Sequence, residues 1–175
     1  MTKDDNDVSP AMRFEELVET HASMVRRIAS VYERHPDQAE DLAQETWLAV
    51  WSGRARLDAA TNLKAYIARI TQNICVTHVR RAIRQRTEPM SDILSDSLSD
   101  GAPTVDEAMD QAQRRQSLLE AVRALPDGLK AVASLYLEGL AIGEIASALG
   151  LSETNTSVRL HRARAALRIR LGEPS

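Results

Sequence analysis

The segment from Thr87 to Asp110 holds seven acidic residues and no basic one. Its first part, TEPMSDILSDSLSDGAP, carries two prolines, a glycine and four serines. Such a stretch shows no sustained apolar period and repels itself, so it reads as a flexible linker rather than part of a core. On both sides of it apolar residues recur at helical spacing, and strand-period alternation never lasts long enough to suggest a sheet. The expected fold is therefore all-α, with two small helical domains joined by a flexible acidic linker. Only six of the 175 residues are aromatic, so the cores must be built from Leu, Ile, Val, Ala and Met.

In the first half, Phe14, Leu17, Val18, His21, Met24, Val25, Ile28 and Val31/Tyr32 mark one face of a helix. It should end before His35-Pro36, because the residue preceding proline avoids the helical region. Residues 1–12 are polar and acidic and read as a disordered tail. Asp37 starts a second helix and forms a capping box with Glu40. Its inner stripe is Ala39, Leu42, Ala43, Trp47, Val50 and Trp51, and Gly53 ends it. A loop beginning at Arg54 leads to a third helix capped near Thr61, with Leu63, Tyr66, Ile67, Ile70 and Ile74 inward. These pieces assign 13–86 to a first domain. After a linker at 87–104, a second domain spans 105–171. Thr104 and Glu107 read as another capping box, before a helix through Met109, Ala112, Leu118, Leu119, Val122 and Leu125. Leu125-Pro-Asp-Gly128 breaks that helix. Three more are expected at about 129–138, 141–149 and 153–171.

The last two of these helices have the grammar of a helix-turn-helix. Ile142, Ile145, Ala146 and Leu149 face inward, Gly150 permits the left-handed turn, Leu151 plugs it and Ser152 caps the final helix. Along that helix Thr156, Leu160, Ala163, Leu167 and Leu171 form the inner stripe. Thr154, Asn155, Val158, His161, Arg162 and Ala165 lie opposite, flanked by Ser157 and Arg159. In a major groove Asn reads adenine, Arg reads guanine and Val touches a thymine methyl. Arg164, Arg168 and Arg170 lie further along, where phosphate contact is more natural.

The net charge of −3 argues against nucleic acid only until it is divided. Residues 13–86 and 111–175 each carry +3, whereas 87–110 carries −7 and 1–12 carries −2. Ala59 to Arg86 holds six basic groups and no acid, and Thr154 to Leu171 holds five arginines and no acid. Cys75 stands alone, which excludes an internal disulfide and a multi-cysteine zinc site; it reads as a small residue on the third helix, with a redox role as the minor alternative. No secretory leader or membrane span is evident, so a cytoplasmic protein without membrane insertion is expected. No nucleophile, glycine-rich loop or metal set accompanies Asp41 and Glu45, so neither an enzyme nor a cofactor is expected.

LPDGLKAVASLYLEGLAIGEIASALGLSETNTSVRLHRARAAL resembles the C-terminal, −35-reading domain of bacterial sigma-70 family RNA polymerase sigma factors. QAEDLAQETWLAVW followed by NLKAYIARITQNICVTHVRR is similar to their second conserved region. The layout over residues 13–171 resembles the extracytoplasmic-function (ECF) group. The resemblance implies a region 2-like three-helix bundle and a region 4-like helix-turn-helix domain. It implies that Asp41, Gln44 and Glu45, which share one helix face, dock on the coiled coil of the polymerase β′ subunit. The implied −10 set is Asn62, Tyr66, Asn73, Arg80 and Arg81, with the loop from Arg54 to Asn62 holding a base flipped from the non-template strand. Ser157, Val158, His161 and Arg162 match positions facing the −35 groove; Asn155 and Arg159 complete the expected reading set. Implied partners are core RNA polymerase, through the β′ coiled coil and β flap, promoter DNA, and an anti-sigma factor.

The sequence departs from the family in places. The family commonly has Trp where Tyr66 stands, Asp where Thr77 stands, and a basic residue where Ser157 stands, so no −35 consensus transfers. Two other readings compete: a stand-alone helix-turn-helix regulator and a helical adaptor without DNA contact. The first would need a dimer surface or sensing domain, and the first half offers neither.

Overall fold

Proline decides where the first two helices begin. It lacks an N–H, and its fixed φ suits the first helical position. In the computed structural model, which describes residues 10–57, 62–86 and 107–172, α1 spans Pro10–Tyr32 and α2 spans Pro36–Ser52. The expected tail at 1–12 is therefore too long, since Pro10 is already helical. The capping box at Asp37 does not form: His35 is the N-cap, without a side-chain cap bond, and Asp37 sits in the first turn. Glu40 instead accepts from Arg26 at 2.8 and 3.2 Å. That hydrogen bonding and charge hold its carboxyl below the usual carboxylate range.

A 3-10 turn at Arg54–Arg56 comes next, then α3 (Leu63–Arg86). The second half comprises α4 (Glu107–Arg123), α5 (Asp127–Leu137), α6 (Ile142–Leu149) and α7 (Glu153–Leu171). There is no strand among the described residues, as the helical periodicity requires. Thr61, Thr104 and the whole 87–104 linker lie outside them.

Helices α1, α2 and α3 pack against one another in pairs, with Val25, Ile28, Val50 and Ile67 sealed between them. In the second half α5, α6 and α7 pack mutually and α4 lies on α5 and α7. Burying each such aliphatic side chain contributes about 1.5–3 kcal/mol. The two halves also pack on each other. Helix α3 meets α6, and α1 meets α4 and α5. Val132, Leu135, Leu140, Ile145 and Ala148 belong to the same continuous apolar cluster as Met24, Ile28 and Ile67.

The buried face of α3 differs from the expected one. Ala68, Thr71, Gln72 and Cys75 are buried, whereas the expected inner residues Leu63, Tyr66, Ile70 and Ile74 are only half-buried. Burial, then the charge of Glu45, pushes the Cys75 thiol up to about 12. At neutral pH it is a small apolar side chain rather than a reactive one. Ala112, expected inward on α4, is exposed. Among the described residues no helix is long and apolar enough to cross a membrane, and no cluster of three potential metal ligands occurs.

Candidate nucleic-acid interface

Helix α2 buries Ala39, Leu42, Ala43, Thr46 and Val50. The Thr46 hydroxyl donates to the Leu42 carbonyl at 2.9 Å, so even its polar inner residue is satisfied within the helix. The opposite face presents Asp41, Gln44 and Glu45 to solvent. Neither Asp41 nor Glu45 forms an ion pair among the described residues. Leu48 continues the same stripe one turn on and is 67% exposed. Leu48 is not among the expected docking residues, although its i+7 spacing from Asp41 puts it on the same helix face.

Gly53 caps α2 with φ −91°, an ordinary conformation, so left-handed geometry is not why glycine stands there. A Cβ at this position would lie 2.9 Å from the Tyr66 hydroxyl oxygen. Tyr66 is thus wedged against the end of α2 and only half-exposed. Arg54 lies over the Trp51 ring, 4.7 Å from its centroid, and Phe14 meets Trp51 edge-on at 4.9 Å. Beside them a cleft of about 730 Å³ opens between α1 and the loop, lined by Phe14, Leu17, His21, Arg54, Leu57 and Leu63. Burial, then the charge of Lys64, holds the His21 imidazole below its usual value. Residues 58–61 of the expected base-capturing loop lie outside the described residues.

Asn62 caps α3: its side-chain oxygen accepts from the Ala65 N–H at 3.0 Å. Its amide nitrogen donates to Glu144 on α6. Asn73, Arg80 and Arg81 are exposed further along α3. Helical spacing puts Arg69, Asn73, Thr77 and Arg80 on one face, with Arg81 about 100° around it. The Thr77 hydroxyl turns inward to the Asn73 carbonyl at 2.8 Å.

The turn between α6 and α7 forms as its residues require. Gly150 adopts φ 65°, ψ 36°. The Leu151 N–H donates to the Ala146 carbonyl at 2.9 Å. Ser152 accepts from the Asn155 N–H at 3.2 Å, and the Thr156 hydroxyl donates to the Ser152 carbonyl at 3.0 Å. Glu144 closes the other end of α6 by accepting from the Ala141 N–H at 2.7 Å. Thr156, Leu160 and Ala163 are buried, which fixes the rotation of α7. Asn155, Ser157, Val158, His161 and Arg162 therefore face solvent, Val158 with 45% of its surface free. Arg159 departs from this set. It is half-buried, and its Nε donates to the Asn155 side-chain oxygen at 2.9 Å, so the two expected readers occupy each other. Arg170 reaches back to the Ala124 carbonyl at 3.3 Å. A shallow apolar groove of about 280 Å³ runs between α4, α5 and α7, with Arg164 and Arg168 in its wall.

A helix-turn-helix with an exposed polar and basic second helix, attached to a helical bundle with its own acidic face, defines a two-domain DNA-binding protein rather than an isolated reader. The Sigma-70 region 2 family model matches residues 17–85, and the Sigma-70 region 4 model matches 115–167. The chain is 32% identical over 154 residues to the ECF RNA polymerase sigma factor SigF of Caulobacter vibrioides, covering 88% of this chain and 80% of that one. It is 31% identical over 157 residues to the probable RNA polymerase sigma factor RfaY of Xanthomonas campestris, covering 87% of this chain but 38% of that longer one. Among solved structures, the sigma factor RpoE in complex with the anti-sigma factor NepR, from Bartonella quintana, superposes with a TM-score of 0.70 at 21% identity over 93% of this chain and 99% of that one. CnrH, in complex with the cytosolic domain of CnrY, gives 0.60 at 24% identity over 93% and 89%. The chain belongs to the ECF group of RNA polymerase sigma factors, proteins that bind RNA polymerase and direct it to promoters for initiation.

Proposed function

We propose that the chain divides its work as its surfaces are divided. In this reading residues 13–86 form the polymerase-docking and −10 domain, 87–104 the tether, and 105–171 the −35 domain. Asp41, Gln44 and Glu45 dock on the β′ coiled coil, with Leu48 as the apolar centre of that contact. Asn62, Asn73, Arg80 and Arg81 hold the −10 region, and Tyr66 positions the loop against Gly53 rather than reading a base. Asn155, Ser157, Val158, His161 and Arg162 face the −35 major groove, with Arg159 orienting Asn155. The groove between α4, α5 and α7 takes an apolar helix with acidic flanks, which suits the β flap. The protein is cytoplasmic and performs no chemistry itself; polymerase makes the phosphodiester bond. An anti-sigma partner is proposed by analogy with the complex of the Bartonella protein.

The observation that carries the docking role is the exposed Asp41–Gln44–Glu45 face, held outward by a fully satisfied buried face and left without ion-pair partners among the described residues. Asp41→Ala with Gln44→Ala should weaken binding to core polymerase at least tenfold while leaving helicity and thermal midpoint unchanged. Unchanged affinity refutes the assignment.

A further inference from the structure

We infer that Arg159 decides which base Asn155 reads: by holding the amide oxygen it leaves Asn155 a donor toward the groove, so that this position of the −35 element selects guanine and rejects adenine. This rests on the −35 reading of α7 above and names the chemistry of one of its contacts. The Arg159 Nε donates to the Asn155 Oδ1 at 2.9 Å. A guanidinium has no acceptor, so only the oxygen of the amide can meet it. The planar amide then turns its Nδ2, with two N–H donors, away from Arg159. Asn155 is exposed and Arg159 half-buried, so Nδ2 is the outward group.

The surroundings hold the pair in place. The Asn155 N–H donates to the Ser152 hydroxyl oxygen at 3.2 Å, and the Thr156 hydroxyl donates to the Ser152 carbonyl at 3.0 Å, which fixes the backbone under Asn155. Carboxylates that would compete for Arg159 are turned elsewhere. Asp127 pairs with Lys130 at 3.2 Å. Glu153, the one acid of α7, lies against α6, its Oε1 3.2 Å from a Cβ built on Gly143. Gly128, in the first turn of α5, leaves room for the guanidinium, because a Cβ there would lie 3.1 Å from the Arg159 Nη1. Gly128 is not in the left-handed region, so space rather than backbone freedom is what glycine supplies at this position.

The major groove translates this geometry into a base. Bidentate reading of adenine needs an acceptor for the N6 amino group and a donor for N7, which a free Asn amide supplies together. With its oxygen engaged, Asn155 sets a donor against that amino group, and equally against the N4 amino group of cytosine. Guanine presents two adjacent acceptors, N7 and O6, and matches Nδ2. Arg159 is a positioning residue in this scheme, acting on the DNA through Asn155.

The test uses core polymerase with the full-length chain on a promoter library randomised across the upstream element. The parent is compared with Asn155→Ala, Arg159→Ala and Arg159→Met, the last keeping an aliphatic stem against Gly128 while removing the donor; circular dichroism checks that each is folded. Asn155→Ala should erase a guanine preference at one upstream position. At that same position both Arg159 variants should move the transcript ratio from guanine toward adenine by about fivefold or more, as the freed amide regains its bidentate pairing. An adenine preference there in the parent, an Asn155→Ala chain that selects as the parent does, or Arg159 variants that keep the guanine overturn the inference. So does a uniform loss across all sequences in the Arg159 variants, which marks a phosphate contact. If His161→Ala with Arg162→Ala alters the upstream element while the Asn155 and Arg159 variants do not, the base assignment fails and the −35 reading stands. If none of these chains alters any upstream position, the −35 reading fails and the base assignment with it.

Discussion

Gly150 offers a clean test of the helix-turn-helix geometry, because its backbone and its surroundings point to different costs. Its φ of 65° and ψ of 36° lie in the left-handed region, and a Cβ built there meets nothing within 4 Å. Gly150→Ala therefore carries no steric penalty, only the left-handed strain of about 1–2 kcal/mol. Lower unfolded-chain entropy offsets about 0.4–1 kcal/mol of this. The net loss should be about 0.5–1.5 kcal/mol, a fall in thermal midpoint of about 2–5 °C for a chain of this size. Gly150→Asn should lose less than alanine, since asparagine tolerates this conformation. Urea titrations of the three proteins at one pH measure the differences. A loss above about 3 kcal/mol for alanine, or an asparagine variant weaker than the alanine one, would refute the strain argument.

Gly53 should behave in the opposite way. Its φ is ordinary, but a Cβ would press on the Tyr66 hydroxyl at 2.9 Å. Gly53→Ala should destabilise the Tyr66-containing chain and be nearly neutral in Tyr66→Phe, as thermal melts of the four proteins would show; equal losses in both backgrounds contradict the contact. Cys75 should resist a thiol reagent at pH 8 in the folded chain and titrate as one thiol in denaturant, because burial pushes its pKa up to about 12; rapid labelling of the native protein contradicts this. His21 is held below its ordinary value by burial and by Lys64. The unfolded chain therefore takes its proton first, and stability falls as pH drops through the usual imidazole range near 6.5. His21→Gln should flatten the change in urea midpoint between pH 7.5 and 5.5; an unaltered slope contradicts the assignment.

The features legible in the sequence are local. Pro126, Gly150 and Ser152 punctuate the second half so firmly that α5, α6 and α7 fall within two residues of expectation. The start of α2 differs from expectation because Asp37 and Glu40 mimic a capping box, while Pro36, whose fixed φ suits the first helical position, already starts the helix one residue earlier. Asn62 is expected to read DNA, and the structure adds its role as the cap of α3. The hidden features are non-local. Helical spacing on α3 identifies Ile67 as inward, but nothing in that period shows that Ala68 and Gln72 are buried as well. Nor does any local pattern join Arg27 to Glu138, whose side chains meet at 2.8 Å. The pairing of Arg159 with Asn155 has a readable i, i+4 spacing, yet base reading would send both side chains outward. The division of charge between two basic domains and an acidic tether is legible throughout, because it needs only the order of residues.

The central claim is that this chain directs polymerase to two-part promoters through α3 and α7. Run-off transcription with purified core polymerase on a randomised promoter library, using the parent chain and His161→Ala with Arg162→Ala, tests it most directly. The parent should yield chain-dependent transcripts that share two elements about two DNA turns apart. The variant should bind core equally well and lose selection at the upstream element, at about 1–3 kcal/mol for each base contact removed. Transcripts that do not depend on the chain, or a variant that selects the same upstream sequence as the parent, would contradict the account.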